Sequence, residues 1–238
     1  MKKYPLLEIC VETREAAVAA ERGGADRIEL CEDLRVGGVT PSADLIRATR
    51  SQVHIPIFVM IRPRSGDFCY STREFIVMIR AIAMTKQSGM DGVVLGLLHA
   101  DRRVDIERTR ELAEQARPLP VTFHRAFDDT PNLSQALEDV IAAGAARILT
   151  AGGKASAEEG GGAVAGLVDA ARNRIGILPG GGISGVNIER VLECTRAREF
   201  HSGLSSVLPF PQTDHVAFEA EVRKLAELLR RYPIERQR

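Results

Sequence analysis

The sequence predicts an α/β protein folded as a single-domain (β/α)8 barrel, the TIM barrel. Eight short β-rich runs alternate with eight amphipathic helical stretches, and no linker, low-complexity tract or block of like charges interrupts the alternation. The chain has 238 residues, which suits one α/β barrel, so we expect one domain over residues 1–238. A doubly wound open sheet would show the same alternation and is the structural alternative.

The predicted strands are runs of aliphatic and aromatic residues bounded by turn residues. They cover residues 6–11, 26–31, 55–61, 91–97, 119–125, 146–151, 175–179 and 198–202. The predicted helices cover residues 13–22, 41–52, 72–88, 105–117, 132–143, 156–172, 184–195 and 213–231. Thr40 and Pro41 suit the N-cap and first position of the second helix, and the tail 232–238 is predicted to be a frayed helix end.

Composition excludes several classes of function. The 32 basic and 32 acidic side chains balance, so no general attraction to nucleic acid or to a membrane surface is indicated. No stretch reaches the roughly 20 apolar residues of a membrane span, and Glu8 interrupts the first apolar run too early for a signal peptide. Four cysteines in a chain of this length predict a cytoplasmic protein with reduced thiols rather than disulfides.

Two near copies of one motif stand on the first two predicted strands. Glu8 and Cys10 form the first acid-x-thiol triplet, and Glu29 and Cys31 form the second. Strands joined by one helix lie side by side in parallel, and residues two apart share a face, so we expect matching residues of the two triplets to be neighbours. Cys10 and Cys31 are therefore candidate ligands of Cu(I), a soft ion that prefers sulfur. The alternative is that both are small buried packing residues.

The barrel interior is predicted to be polar toward the carboxyl ends of the strands, where barrel enzymes place their active sites. Strand alternation turns Glu8, Glu29 and His124 inward, and we take these three as candidate proton-transfer residues. Buried charges must be paired, so both glutamates are expected to bond with arginines. The candidate partners are Arg27, Arg62 and Arg147.

A binding site for a small anion is predicted at the same end. Arginines can grip an anion with two N–H groups, and glycine-rich loops expose backbone N–H groups to it. The candidate anion-binding residues are Arg62, Arg64, Gly152, Gly153, Gly181, Gly182 and His201. The alternatives are glycines that serve ordinary tight turns and polar side chains that only pair with one another.

Taken in order, several segments resemble the CutC family, which is described as copper homeostasis proteins. They are Glu8-x-Cys10, Gly24-Ala25-Asp26-Arg27-Ile28-Glu29-Leu30-Cys31, Gly37-Gly38-Val39-Thr40-Pro41-Ser42, Met60-Ile61-Arg62-Pro63-Arg64, Thr122-Phe123-His124-Arg125-Ala126-Phe127-Asp128 and Pro179-Gly180-Gly181-Gly182-Ile183. The resemblance runs from residue 6 to about residue 208. It implies a TIM barrel, a cytosolic location, a role in copper binding or trafficking and a homodimer, but it implies no particular reaction.

Two functions of different class follow from these observations. In the first, the barrel takes part in copper homeostasis by binding Cu(I) through Cys10 and Cys31. In the second, it is an enzyme of unknown reaction that acts on a small anionic or phosphorylated metabolite, and its link with copper is indirect. A Cu(I) titration of the reduced protein beside a Cys10→Ser/Cys31→Ser variant tests the first, and soaking with phosphate or sulfate tests the second.

Overall fold

The computed structural model describes residues 3–208 and 211–234. Its strands are β1 (Leu6–Val11), β2 (Arg27–Leu30), β3 (Ile57–Met60), β4 (Gly92–Leu95), β5 (Val121–Phe123), β6 (Arg147–Thr150), β7 (Gly176–Pro179) and β8 (Glu199–Ser202). Its α-helices are α1 (Arg14–Gly23), α2 (Ala43–Arg50), α3 (Thr72–Gln87), α4 (Ile106–Ala116), α5 (Leu133–Ala142), α6 (Gly161–Ala171), α7 (Ile188–Thr195) and α8 (His215–Arg230). Every predicted strand and helix is present, most of them shorter at their ends than predicted.

The strands form one parallel sheet that curves into a nearly closed barrel. Hydrogen bonds join them in the order β7-β6-β5-β4-β3-β2-β1-β8, and the two end strands, β7 and β8, lie beside each other. In a doubly wound sheet the strand order reverses at a switch point, whereas here each strand neighbours its successor. The predicted (β/α)8 barrel is therefore confirmed.

Four predicted helix starts differ from the structure by two residues or more, and local contacts explain two of them. The second helix begins at Ala43, because the Ser42 hydroxyl accepts the Leu45 N–H, while the Thr40 hydroxyl accepts the Arg62 N–H instead at 2.8 Å. The sixth helix begins five residues later than predicted, after Gly160. Gly160 packs so tightly against the Ala151 carbonyl that a Cβ would overlap that oxygen.

Hydrogen bonds join residues 232 and 234 to other parts of the described chain. The Tyr232 hydroxyl hydrogen-bonds with Glu193 at 3.2 Å, and the Ile234 N–H donates to the Lys3 carbonyl at 2.8 Å. The frayed tail over residues 232–238 stays a prediction, and residues 235–238 lie outside the described part of the chain.

The interior of the barrel is closed at the amino end by an aromatic ring between two cations. The Phe58 ring lies 5.0 Å from the Arg27 guanidinium carbon and 4.8 Å from that of Arg147. Gly92, the register partner of Phe58 on β4, leaves the space that the ring fills. Phe58 and the two arginines fill this part of the interior, and the carboxyl end of the barrel remains available for a site.

The helices of the described residues can be compared with the requirements for crossing a membrane. None of the helices in residues 3–208 and 211–234 combines the length and the apolar character needed to cross a bilayer.

Replacing Gly160 by alanine is expected to destabilise the fold. The new methyl group would overlap the Ala151 carbonyl, and backbone must shift to make room, so we expect a loss of about 1–3 kcal/mol in the free energy of unfolding. The matched control is Gly166→Ala inside α6, where nothing lies within 4 Å of the added Cβ. It should gain up to about 1 kcal/mol, because alanine is the better helix former. Urea unfolding measures both, and equal effects would contradict the packing role of Gly160.

Candidate functional site

A cavity of about 570 Å³ opens at the carboxyl end of the barrel. Polar side chains from several strand ends reach it, among them Cys10, Glu29, Arg62, His124 and His201. Its apolar wall is formed by Leu34, Val36, Met60, Phe68 and Leu149. This is the end at which barrel enzymes bind their substrates.

The two acid-x-thiol triplets lie on neighbouring strands but are offset by two residues. Glu8 pairs in register with Arg27, and Cys10 pairs with Glu29. Matching residues are therefore not side by side, and that expectation is wrong. The offset follows from barrel closure, because strands that tilt around a barrel must be staggered against one another. It places a carboxylic acid beside the first thiol.

The thiols of Cys10 and Cys31 are in contact despite this offset. Their Sγ atoms lie 3.4 Å apart, and the Cys10 thiol also hydrogen-bonds with Glu29 Oε1 at 3.2 Å. Cys10 lines the cavity, whereas Cys31 lies fully buried behind it, 3.5 Å from the Val11 carbonyl. The hydrogen bond with Cys31 and burial raise the pKa of Cys10, and burial raises that of Cys31 despite the opposing effect of the hydrogen bond with Cys10. Both thiols are protonated at neutral pH.

A chain of ionic hydrogen bonds runs through the barrel to the cavity. Arg27 donates to Glu199 Oε2 at 2.7 Å and to Glu8 Oε2. The other oxygen of Glu8 lies 2.7 Å from His201 Nδ1. Glu8 is fully buried, yet the charge of Arg27 and the hydrogen bond from His201 overcome the burial and lower its pKa to about 2. Glu8 is thus an ionised carboxylate that orients both partners.

His201 is the last member of this series of hydrogen bonds and lies at the cavity wall. Because Glu8 is ionised, Nδ1 of His201 carries a proton, and within the described residues Nε2 has no hydrogen-bond partner. Burial acts to lower the pKa of His201, but the charges of Glu29 and Glu8 outweigh it and raise that pKa above its usual value. One ligand atom each from Cys10, Glu29 and His201 lies within 4.8 Å of the others, a spacing that suits a metal ion.

Glu29 differs from Glu8 because, in the described part of the chain, no arginine bonds with it. Among the same residues its Oε1 accepts the Cys10 thiol and its Oε2 is buried without a partner. Burial raises the pKa of Glu29 above its usual value. The expected pairing with an arginine is therefore confirmed for Glu8 and wrong for Glu29. Arg147 contacts Glu199 instead, at 3.3 Å.

Arg62 and His124 form another part of the polar wall. The Arg62 guanidinium donates to the carbonyls of Val36, Gly38 and Gly66 at 2.9–3.0 Å, and so connects the loops that follow β2 and β3. His124 Nδ1 accepts the Ala126 N–H at 3.2 Å, which leaves the proton of the neutral ring on Nε2. Burial and the charge of Arg62 lower the pKa of His124 to about 3. His124 is therefore a neutral donor rather than a base near neutral pH.

Three of the candidate anion-binding residues are engaged in local structure. Arg64 bonds with Glu74 at 2.6 Å and with the carbonyls of its own loop, outside the residues that line the cavity. The amide of Gly153 is taken by the Asp128 carboxylate at 2.9 Å, and that of Gly152 by the Thr150 hydroxyl at 2.8 Å. The glycine loop after β6 thus binds the side-chain carboxylate of Asp128. Gly181 and Gly182 do line the cavity, with φ of 108° and 71°.

Three residues without a role in the sequence interpretation help to build the site. Asp128 binds the loop after β6, Phe68 packs on His124 with ring centroids 4.9 Å apart, and Gln212 donates to the Cys10 carbonyl at 3.1 Å. Only Asp128 carried a signal, because it follows the strand end of β5 within the motif that contains His124. The remaining cysteines, Cys69 and Cys194, are exposed and outside the cavity lining.

Comparison with known proteins connects this site to one family. A model described as the CutC family matches residues 5–206. The copper homeostasis protein cutC homolog of Homo sapiens is 49% identical over 201 residues, which cover 84% of this chain and 74% of that protein. A family protein CutC of Chromobacterium violaceum is 46% identical, covering 83% of this chain and 80% of that protein.

Solved structures agree with the sequence comparison. A crystal structure described as copper homeostasis protein CutC from Streptococcus agalactiae has a TM-score of 0.80 at 32% identity. The match covers 84% of this chain and 98% of that one. Phosphoribosyl anthranilate isomerase from Thermotoga maritima shares only the fold, with a TM-score of 0.62 at 16% identity over 94% of this chain and 100% of that one.

Neutralising Glu8 and neutralising Glu29 should have opposite consequences for stability. Glu8→Gln leaves Arg27 without its buried partner, and we expect a loss of roughly 3–5 kcal/mol at pH 7. The pKa of Glu8 is lower in the folded protein than in the unfolded chain. Its contribution is therefore present above about pH 4.5 and is lost as the pH falls toward 2, so the difference between wild type and variant should shrink over that range.

Glu29→Gln is the matched control in the same cavity. The pKa of Glu29 is raised, so its ionised form destabilises the fold as the pH rises, and the variant should be as stable as wild type or more stable at pH 7. Denaturant unfolding between pH 3 and pH 8 measures both variants. Similar losses in the two would contradict the different roles assigned to these carboxyl groups.

Proposed function

The chain belongs to the CutC family, and from this we propose that it acts in copper homeostasis by binding Cu(I) at the carboxyl end of the barrel. The observation that carries the proposal is the contact between Cys10 Sγ and Cys31 Sγ at 3.4 Å. Thiolates are the protein ligands that Cu(I) prefers, and two of them are sufficient for an ion that accepts low coordination numbers. The copper ion is the cargo of the protein in this proposal.

The surroundings of the thiols fit such an ion. A carboxyl oxygen of Glu29 and a ring nitrogen of His201 lie near Cys10, so further donors are available on the cavity side. Both thiols are protonated at neutral pH, so Cu(I) must displace protons from them and should bind more tightly as the pH rises. The thiols must stay reduced for this function, which agrees with the cytosolic location that we include in the proposal.

Replacing either buried cysteine should remove most of the affinity for Cu(I). The wild-type protein, reduced and titrated with Cu(I) against a chromogenic chelator, should bind one ion per chain. Cys10→Ser and Cys31→Ser should each lose at least about tenfold in affinity, because a hydroxyl is a poor ligand for a soft ion. The matched control is Cys69→Ser with Cys194→Ser, which removes the two exposed thiols and should change nothing. Equal affinity in all variants would refute the proposal.

A second candidate function is proton-transfer catalysis on a small anionic metabolite. The hydrogen bond of 2.7 Å between Glu8 and His201 favours it, because a carboxylate that orients an imidazole is the usual way to prepare a general base. In this candidate His201 is the proton-transfer residue through Nε2, Glu8 positions it, and His124 acts as a neutral hydrogen-bond donor. Burial raises the pKa of Glu29, which lies beside them, so this carboxyl group is a second candidate for proton transfer.

The second candidate predicts turnover that depends on His201. Incubating a deproteinised metabolite extract with the protein, followed by mass spectrometry, should show a small acid whose level changes with wild type. The change should be at least about a hundredfold slower with His201→Phe, which removes the nitrogen that moves the proton. His99→Phe, at an exposed histidine, is the control. Identical extracts from all three incubations would count against an enzyme.

A further inference from the structure

Arg62 is a buried cation without an anionic partner. It is 5% exposed, and within residues 3–208 and 211–234 no carboxylate lies at ion-pair distance from it. Among the described residues its terminal nitrogens donate to main-chain carbonyls, the Tyr70 hydroxyl lies close enough to interact with the guanidinium, and Nε is buried without a hydrogen bond of normal geometry. A buried charge is stable only when it is compensated, and carbonyl dipoles compensate a full charge in part. The position of Arg62 therefore favours an anion in the cavity.

His124 supplies a second donor that lacks a partner. The side chain is 4% exposed, and its Nε2 is buried without a hydrogen bond. The Ala126 N–H occupies Nδ1, so Nε2 carries the proton and can only donate. Because a buried donor without an acceptor is costly, a ligand oxygen at this position would stabilise the site.

The two donors belong to one wall of the cavity. The Phe68 ring lies 5.0 Å from the Arg62 guanidinium carbon and 4.9 Å from the His124 ring, so both side chains pack on the same aromatic residue. Leu34 and Met60 line the cavity beside them. The cavity volume of about 570 Å³ falls in the range of sites for small organic molecules and exceeds what a bare ion requires.

We propose that this wall binds the carboxylate group of a small organic acid, with Arg62 Nε and His124 Nε2 as the donors and the apolar part of the ligand against Phe68, Leu34 and Met60. A planar group with two oxygens suits two N–H donors. Phosphate is a less suitable occupant, because the amides after β6 that would help to hold it are bound to Asp128.

This site shares the cavity with Cys10, and Leu34 and Met60 pack against the thiols, but its donors are different residues and it does not depend on copper. If the second candidate function is correct, small carboxylic acids are its substrate class. That assignment of a substrate rests on the proposed function, whereas the binding site itself does not. The test therefore measures binding rather than turnover, so that a failure of binding and a failure of catalysis can be told apart.

Histidine NMR signals of the wild-type protein provide the first measurement. The chain has five histidines, of which His54 and His99 are exposed and serve as internal controls. Propionate, the probe, should shift the ring signals of His124 saturably, with a Kd of about 1–100 mM for so small a ligand. Propionamide, which has the same shape without the charge, should shift them at least about tenfold more weakly. No saturable shift of His124, or equal effects of the two probes, would overturn the proposal.

Inorganic phosphate is the third probe, and it tests the other source of an oxyanion. A saturable shift of His124 with phosphate but none with propionate would overturn the assignment to a carboxylate. Shifts of all five histidines together would indicate only nonspecific ionic effects, which also overturn it.

The change in Tm that propionate causes in the wild-type protein and in His124 variants is the second measurement. Propionate should raise the Tm of the wild-type protein, because a ligand that binds only the folded state stabilises it. His124→Phe should abolish this rise, and His124→Gln, which keeps an N–H donor, should retain part of it. His99→Phe is the matched control and should behave as wild type. Arg62 is replaced only by lysine, because its bonds to two loops make it part of the fold. Equal rises in His124→Phe and wild type would refute the site.

Discussion

The ionised carboxylate of Glu8 is the group on which the arrangement of the site depends. It is fully buried, and its charge is stable there only because Arg27 on β2 and His201 on β8 bond with its two oxygens. Replacing such a network by apolar residues is often neutral for stability, so we attribute its value to position rather than to energy. Arg27, fixed by Glu8 and Glu199, packs on the Phe58 ring that fills the amino end of the barrel. At the other end, the same carboxylate determines which nitrogen of His201 meets the cavity.

The cavity divides into two walls with different chemistry. On one side, Cys10 and Cys31 offer sulfur, with Glu29 and His201 close by, and this set suits a soft cation. In another part of the lining, Arg62 and His124 offer N–H groups, which suit oxygen ligands. A copper chaperone needs the first wall alone. Because the second wall leaves buried donors without partners, copper binding by itself does not explain the composition of this cavity.

The sequence predicts the barrel well because strand and helix patterns alternate regularly along it, and few folds other than a barrel accommodate eight such units. Strand alternation also predicts that Cys10, Arg62, His124 and His201 turn inward, and all four line the cavity. What it does not show is how neighbouring strands are staggered or which loop atoms meet. The stagger is a property of barrel closure, not of any residue. The Asp128 carboxylate binds the glycine loop after β6, and Arg64 bonds with carbonyls of its own loop. Both contacts depend on distances in space that spacing along the chain does not reveal.

The different accessibility of the two thiols bears on how a copper ion would reach them. Cys10 lines the cavity, whereas Cys31 is shielded behind it and directed toward a main-chain carbonyl. An ion arriving through the cavity therefore meets Cys10 first, together with the donors of Glu29 and His201 that lie on the same side. Cys31, 3.4 Å from Cys10, would join when its thiol loses the proton that it can donate to the Val11 carbonyl. Transfer from a donor molecule would then proceed by stepwise exchange of ligands that begins at Cys10, and the buried thiol would decide how firmly the ion is retained.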